Sequence, residues 1–194
     1  MNETSVSLLD RARRDSGSEA WGRLSALYSP LIRNWLRRYQ LQASDVDDLV
    51  QEVLLTVSRE LPRFAHSGNP GAFRSWLRTI LVHRVQNFWR SRKFQPLAKG
   101  GSSLLDELRE LEDEASHASR LWNTEHDRQV LSQLLDQIRP RFQESTWEAF
   151  YRQMFGGESA AEVASALGTP VHAAYVAKSR VLNILRQEAA GLVD

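Results

Sequence analysis

Ser44-Asp45-Val46-Asp47-Asp48-Leu49-Val50-Gln51-Glu52-Val53-Leu54 is the stretch that decides how this chain folds. Val46, Leu49, Val50, Val53, Leu54 and then Val57 recur at three- and four-residue spacing, the period of one buried helix face. Ser44 and Asp47 have the spacing of a capping box, whose first side chain accepts from the third helical N–H while the acid reaches back. Asp45, Asp48 and Glu52 fall on another face, with Asp47 and Gln51 beside them. As acids near a helix start they favour the positive end of the macrodipole. As an exposed acid-and-amide patch they suit a basic protein surface.

The same grammar extends in both directions. Ser145 with Glu148 and Ser159 with Glu162 repeat the capping-box spacing, and Thr169-Pro170 reads as an N-cap followed by proline at the first helical position. Helices are expected near residues 6–14, 18–39, 45–61, 71–93, 124–138, 145–155, 159–167 and 170–188. No alternating pattern with hairpin turns argues for strands. The fold class is all-α: two helical domains joined by a flexible acidic linker, the second containing a helix-turn-helix. The first domain covers residues 1–94. Residues 95–122, with Lys99-Gly100-Gly101-Ser102-Ser103 and the acids Asp106, Glu107, Glu110, Glu112, Asp113 and Glu114, form the linker, with a marginal helix allowed within it. The second domain covers residues 123–194.

Charge is sorted sharply along a chain whose formal net charge is only +1. From residue 61 to residue 105 there is no carboxylate, but there are eight arginines and lysines. Phe64, Phe73, Trp76, Phe88, Trp89 and Phe94 stand among them. Repeated cations suit phosphates, and interleaved rings suit unstacked bases. In the helix expected at 71–93, Phe73, Trp76, Leu77, Ile80, Leu81 and Phe88 supply a core face. Arg74, Arg78, Arg84, Arg90, Arg92 and Lys93 take much of the remainder, with His83 and Asn87 one turn apart. Phe73 and Trp76 read as core anchors, Asn87 and Trp89 as contact residues.

Near the C-terminus, a short helix carrying small Ala164 closes at Gly168, then meets Thr169-Pro170 and a longer helix. That is the layout of a helix-turn-helix, whose second helix enters the major groove. His172, Ala173 and Tyr175 sit where base edges would be reached; Lys178 and Arg180 are placed for phosphates, and Thr169 at the helix start completes the DNA-binding set.

Several classes are excluded on composition. With no cysteine there is neither disulfide nor thiolate metal site. The five histidines are scattered, no phosphate-cradling glycine motif occurs, and neither a cofactor nor a small-molecule substrate is expected. No apolar run approaches the roughly 20 residues needed to cross a bilayer, so membrane insertion is not expected. Without a signal-like h-region the expectation is a soluble, cytoplasmic protein.

Taken in order, these motifs resemble bacterial sigma factors of the extracytoplasmic-function type in the sigma-70 family. Asp45-Val46-Asp47-Asp48-Leu49-Val50-Gln51-Glu52-Val53 is similar to the family's Asp-x-x-Asp-Leu-x-Gln-Glu segment. Phe73-Arg74-Ser75-Trp76-Leu77 through Arg90 looks like its helix for reading and melting the promoter −10 element. Glu162-Val163-Ala164 with Leu167-Gly168 resembles the Glu-Ile-Ala…Leu-Gly of its −35 domain. The chain departs from the pattern at His83, where asparagine is usual, and at Asn87, where aspartate is usual. The resemblance implies a non-enzymatic transcription initiation factor. Residues 1–94 would then be region 2-like and residues 123–194 region 4-like. Its implied partners are promoter DNA and core RNA polymerase, through the beta-prime clamp and the beta flap. The clamp would be met by Asp45, Asp47, Asp48, Gln51 and Glu52. Regulation is expected from an anti-sigma factor, or from a kinase acting at Thr56 or Ser58.

Overall fold

The structure, a computed structural model, describes residues 7–15, 17–39, 41–65, 71–91 and 101–193. Nine α-helices stand among the described residues, and no strand does; one isolated bridge joins Ala190 to Val193. The first four helices are α1 (Leu8–Arg14), α2 (Glu19–Leu36), α3 (Ala43–Glu60) and α4 (Ala72–Ser91). They are followed by α5 (Gly101–Glu112), α6 (His117–Ile138), α7 (Glu144–Met154), α8 (Ala160–Leu167) and α9 (Val171–Ala189).

Local chemistry accounts for several of the starts. The Ser7, Ser18 and Ser116 hydroxyls accept from the backbone N–H of Asp10, Trp21 and Ser119, covering donors that a helix N-terminus leaves unpaired. At α8 the full capping box forms: Ser159 accepts from the Glu162 N–H and donates its own backbone N–H to the Glu162 carboxylate at 2.7 Å. The other two expected boxes do not: helix α3 begins at Ala43 with Gln42 as its cap, and α7 begins at Glu144 behind Gln143. At α9 the expected cap Thr169 gives way to Pro170, and the helix begins at Val171.

Helices α1 to α4 pack around Leu24, Leu27, Leu31, Val53, Phe73 and Leu81, all within 1% of full burial. This core does not end at α4. Leu108 and Leu111 of α5, Trp122, Val130 and Leu134 of α6, and Ala189 and Leu192 at the far end of the chain belong to the same apolar cluster. Trp122 is fully buried and meets Trp35 of α2 edge-on, with ring centroids 4.9 Å apart. The flexible linker expected over residues 95–122 is therefore corrected over its described part. Residues 101–112 are helical, α6 starts at His117, and both helices are tied to the first four by buried side chains. Leu108 and Leu111 each remove a large apolar surface from water, about 2 kcal/mol apiece, enough to hold a segment that charge alone would leave solvated.

A second, smaller packing unit joins α7, α8 and α9. Ala149, Ala160, Val163, Ala164, Ala174 and Ala177 form a core of small side chains that lets the helices approach closely. Ile138, Trp147, Phe150 and Val181 continue it towards the end of α6.

Candidate docking face and nucleic-acid interface

Asp48, Gln51, Glu52 and Leu55 follow one another at helical spacing on α3, and all four are exposed. Leu55 is half-exposed at 51%, a large apolar side chain set against acids, and the sequence reading passed over it. Asp47 lies beside the strip and accepts from Arg33 of α2 at 2.8 Å. Asp45 departs from expectation: it is buried, in the first turn, where the α3 N-terminus favours a carboxylate. Thr56 is buried too, and its hydroxyl donates to the Glu52 carbonyl at 2.8 Å. Of the two hydroxyls expected as kinase targets, only Ser58 reaches partial exposure.

Helix α4 separates its cations into two groups. His83, Asn87 and Arg90 form an exposed strip with half-buried Arg84 beside it. Arg90 donates to the side-chain oxygens of Gln86 and Asn87 at 3.3 and 3.5 Å, which presents it along the helix. Trp89 is half-buried, against Phe88 and the main core. Phe73 is fully buried and Trp76 packs against it and Phe64, as expected of core anchors. Arg92 and Lys93 lie outside the described residues.

Arg74 and Arg78 are turned the other way. Arg74 is 11% exposed and donates to both Asp127 carboxylate oxygens, at 2.6 and 2.7 Å. Arg78 is 4% exposed, with Glu114 at 3.5 Å. Glu114 also accepts from the Ser75 hydroxyl at 2.8 Å, and Glu112 accepts from Gln86 at 3.0 Å. Carboxylates from the end of α5, the following turn and α6 thus cover the inward flank of α4. Asp127 further accepts from His126 Nδ1 at 2.9 Å. Nδ1 facing a carboxylate acts as a donor, and in the neutral imidazole Nε2 then accepts from the buried Tyr28 hydroxyl at 3.0 Å. Burial pushes the Tyr28 phenol well above its usual range and keeps it a donor. Burial also acts to raise the Asp127 carboxyl, but the bonds from His126 and Arg74 outweigh it and hold Asp127 below its ordinary value. Desolvation lowers the Arg78 guanidinium, against the pull of Glu114. A chain of hydrogen bonds from α2 through α6 to α4 results, and sequence spacing held no sign of it.

The C-terminal unit is more open. Gly168 closes α8 in the left-handed conformation, φ 62°, and the Gly168 and Thr169 N–H groups bond back to Ala164. The turn delivers α9 with Thr169, His172, Ala173, Tyr175 and Arg180 exposed and Lys178 partly so. Tyr175 is 61% exposed. Among the described residues no ion pair is made by Lys178 or Arg180. Tyr151, Met154 and Phe155 at the end of α7 are also exposed, an apolar group that the sequence reading did not single out.

A third constellation was likewise unread. Glu188, near the end of α9 and only 2% exposed, accepts from Arg11 of α1 at 2.7 Å, Arg23 of α2 at 3.3 Å and Arg141 at 2.7 Å. Burial would raise its carboxyl; the Arg141 bond and the charges of Arg23 and Arg11 overcome that and set it below the ordinary range.

Comparison with known proteins identifies the segment holding α3 and α4. Residues 24–95 match the family described as Sigma-70 region 2. The chain is also similar to the RNA polymerase sigma factor HrpL of Pseudomonas syringae pv. syringae, 30% identical over 84 residues. That match covers 43% of this chain and 44% of HrpL, so the chain spans less than half the length of the relative it matches. No helix among the described residues is long and apolar enough to cross a membrane. The acid-amide strip of α3 and the arginine-rich α4 both lie inside the segment that matches Sigma-70 region 2.

Proposed function

We propose that this chain is a promoter-specificity factor of the extracytoplasmic-function type, which binds core RNA polymerase and starts transcription without catalytic chemistry of its own. One observation supports this above the others. Within the region 2 match, an exposed strip of Asp48, Gln51, Glu52 and Leu55 on α3 lies one helix from the exposed His83, Asn87 and Arg90 of α4. Acids around a half-exposed leucine suit a basic protein surface with an apolar centre, here the beta-prime clamp of the polymerase. Arg84, Arg90 and the neighbouring Trp89 suit the backbone and bases of a separated strand at the −10 element. In the turn before α9 and on its first turns, Thr169, His172, Ala173 and Tyr175 face base edges of the −35 element, and Lys178 and Arg180 meet phosphates. The exposed apolar group at the end of α7 is available to the beta flap.

Energetics set the division of labour. Swinging one base out of the stack costs a few kcal/mol, and stacking it on an aromatic ring returns about 1–3 kcal/mol. That traps one or two bases. Opening ten or more steps at roughly 1.4 kcal/mol each exceeds it, so the polymerase supplies the remainder.

The test is run-off transcription with purified bacterial core polymerase over a promoter library, paired with co-migration of chain and polymerase. Initiation confined to a subset of promoters is the expected result. Reversing charge at Asp48 and Glu52 should abolish co-migration while the far-ultraviolet helical signal stays unchanged. A doubly reversed chain that still co-migrates removes the docking assignment.

A further inference from the structure

Where the first turn of α2 meets α1, the turn after α6 and the end of α9, a groove of about 430 Å³ is lined by Arg11, Ser18, Glu19, Arg23, Arg141 and Glu188. None of these residues belongs to the docking strip of α3, to the exposed strip of α4 or to the leading half of α9. We infer that this groove is a binding site for the phosphate group of a small phosphorylated metabolite, held by the three guanidiniums. Binding there requires neither polymerase nor promoter, so it stands or falls apart from the function proposed above.

Arg11, Arg23 and Arg141 all donate to one carboxylate, that of Glu188. Three positive charges against one negative leave an excess of two in a recess from which water is partly excluded. Guanidiniums keep their protons near neutral pH, so titration does not relieve that excess. A phosphate group carries about −1.5 to −2 at pH 7 and brings three strong acceptor oxygens. It therefore matches both the charge left over and the three forks that supply it. Glu19, the other carboxylate on the groove, is exposed and screened by water, and offsets the excess only in part.

Burial places the charges in the right order. Glu188 is 2% exposed, whereas Arg23, Arg11 and Arg141 are 17%, 34% and 40% exposed. The carboxylate is covered, and the guanidiniums reach the surface of the groove. Each guanidinium offers five N–H donors. Arg141 bonds to Glu188 through Nη1 and makes no other side-chain hydrogen bond among the described residues. Arg23 uses Nη2 on Glu188 and Nε on Gln137, whose amide donates back to the Arg23 carbonyl, so Nη1 is left over on a side chain already fixed in place. Donors oriented in advance by an internal carboxylate lose less entropy when they close on an anion. The first turn of α2, an 18-residue helix, adds the positive end of its macrodipole to the same groove. The volume falls within the range of about 300–1,000 Å³ usual for small-molecule sites. A polynucleotide suits the groove less well, because its continuing backbone would bring further phosphates against Glu19.

The test uses the full chain alone in titration calorimetry at constant ionic strength. The probes are inorganic phosphate, pyrophosphate, GTP and a random-sequence single-stranded oligonucleotide. Saturable binding of one pyrophosphate per chain is expected, with thermal stabilisation beyond that given by chloride at equal ionic strength. Arg141→Gln should weaken pyrophosphate binding by about tenfold or more. Arg139→Gln, an exposed neighbour in the same turn but not on the groove, should change it by less than about twofold. Glu19→Gln removes a repelling charge and should tighten binding; as an exposed position it keeps the test decisive if Arg141→Gln does not fold. Equal affinities for pyrophosphate and GTP mean that the phosphates alone are read, and a tighter GTP means that the groove also takes the nucleoside; both sustain the site. It is overturned if no phosphate probe binds saturably, if binding is confined to the oligonucleotide, or if Arg139→Gln costs as much as Arg141→Gln. An affinity that neither Arg141→Gln nor Glu19→Gln alters overturns it as well.

Discussion

The inward flank of α4 and the leading half of α9 carry the same kinds of side chain and put them to opposite use. Arg74 and Arg78 are almost wholly covered and held by Asp127 and Glu114. His172, Tyr175 and Arg180 stand out in solvent. Both sets read as nucleic-acid contacts in sequence, because cations without nearby acids in the chain look unspent. In space the acids arrive from 36 and 53 residues further on. A charge run is thus a property of the sequence, but a charged surface is a property of the fold, and only the second attracts a phosphate.

The comparison can be broken with one pair of substitutions. Arg74→Ala strips Asp127 of its bidentate partner beside a buried histidine, and hydrogen bonds to charged groups in such places are worth about 1.5–3 kcal/mol. Arg180→Ala removes an exposed side chain and should stay within about 0.5 kcal/mol. In urea titrations the first should shift the unfolding midpoint clearly and the second hardly at all. Polymerase-dependent promoter binding should show the reverse order of salt sensitivity: Arg180→Ala lowers the slope by about 1, whereas Arg74→Ala, whose guanidinium is held by Asp127, lowers it less. Equal stability losses would abolish the distinction between the two surfaces.

Acid sharpens the same contrast. Asp127 and Glu188 are both held below their ordinary values in the folded chain, and their arginine partners stay protonated throughout. The unfolded state therefore binds protons first as pH falls, so stability is lost on acidification. The contribution is fully present above the ordinary carboxylate range near pH 4.5 and disappears as pH drops through the lowered folded values. Denaturation midpoints should be flat from pH 8 to about 6 and fall below about 5. Glu188→Gln, which cannot titrate, should flatten that fall; an equally steep fall in the variant would deny Glu188 its part.

How much of this was legible beforehand differs by level. The apolar period placed α3, α7, α8 and α9 within a residue or two of their observed limits, because a buried stripe is written locally. Caps were harder. A capping side chain is worth about 1 kcal/mol, and at α3, where Asp45 and Val46 are buried, the cap falls at Gln42, two residues ahead of Ser44. The acidic segment was misjudged for a related reason: charge density masked Leu108 and Leu111, one turn apart. Trp122, His126, Val130, Leu134 and Ile138 recur every fourth residue along α6, all fully buried, a signal that was present and left unused before residue 123. The strip on α3 and the exposed edge of α4 follow from period alone. Between elements, the Tyr28–His126–Asp127–Arg74 chain and the Glu188 cluster join residues 47 to 177 apart, and no single sequence carries that pairing.

The smallest effect tests whether the open surface of α9 depends on its turn. At Gly168 the backbone has φ 62°, and a Cβ built there meets nothing within 4 Å. Gly168→Ala therefore adds no clash with neighbours, and its cost is the left-handed strain of an L-residue, about 1–2 kcal/mol. The Ser159–Glu162 box at the other end of α8 and the alanine-lined contact with α9 hold the helix pair while the turn is strained. The variant should fold, unfold at slightly lower denaturant, and lose −35-dependent initiation more than −10-dependent opening, since only the angle at which α9 leaves the turn changes. Gly168→Asn, which tolerates the left-handed region better, should recover most of both, and its failure to do so would move the importance of this position from backbone geometry to the absence of a side chain.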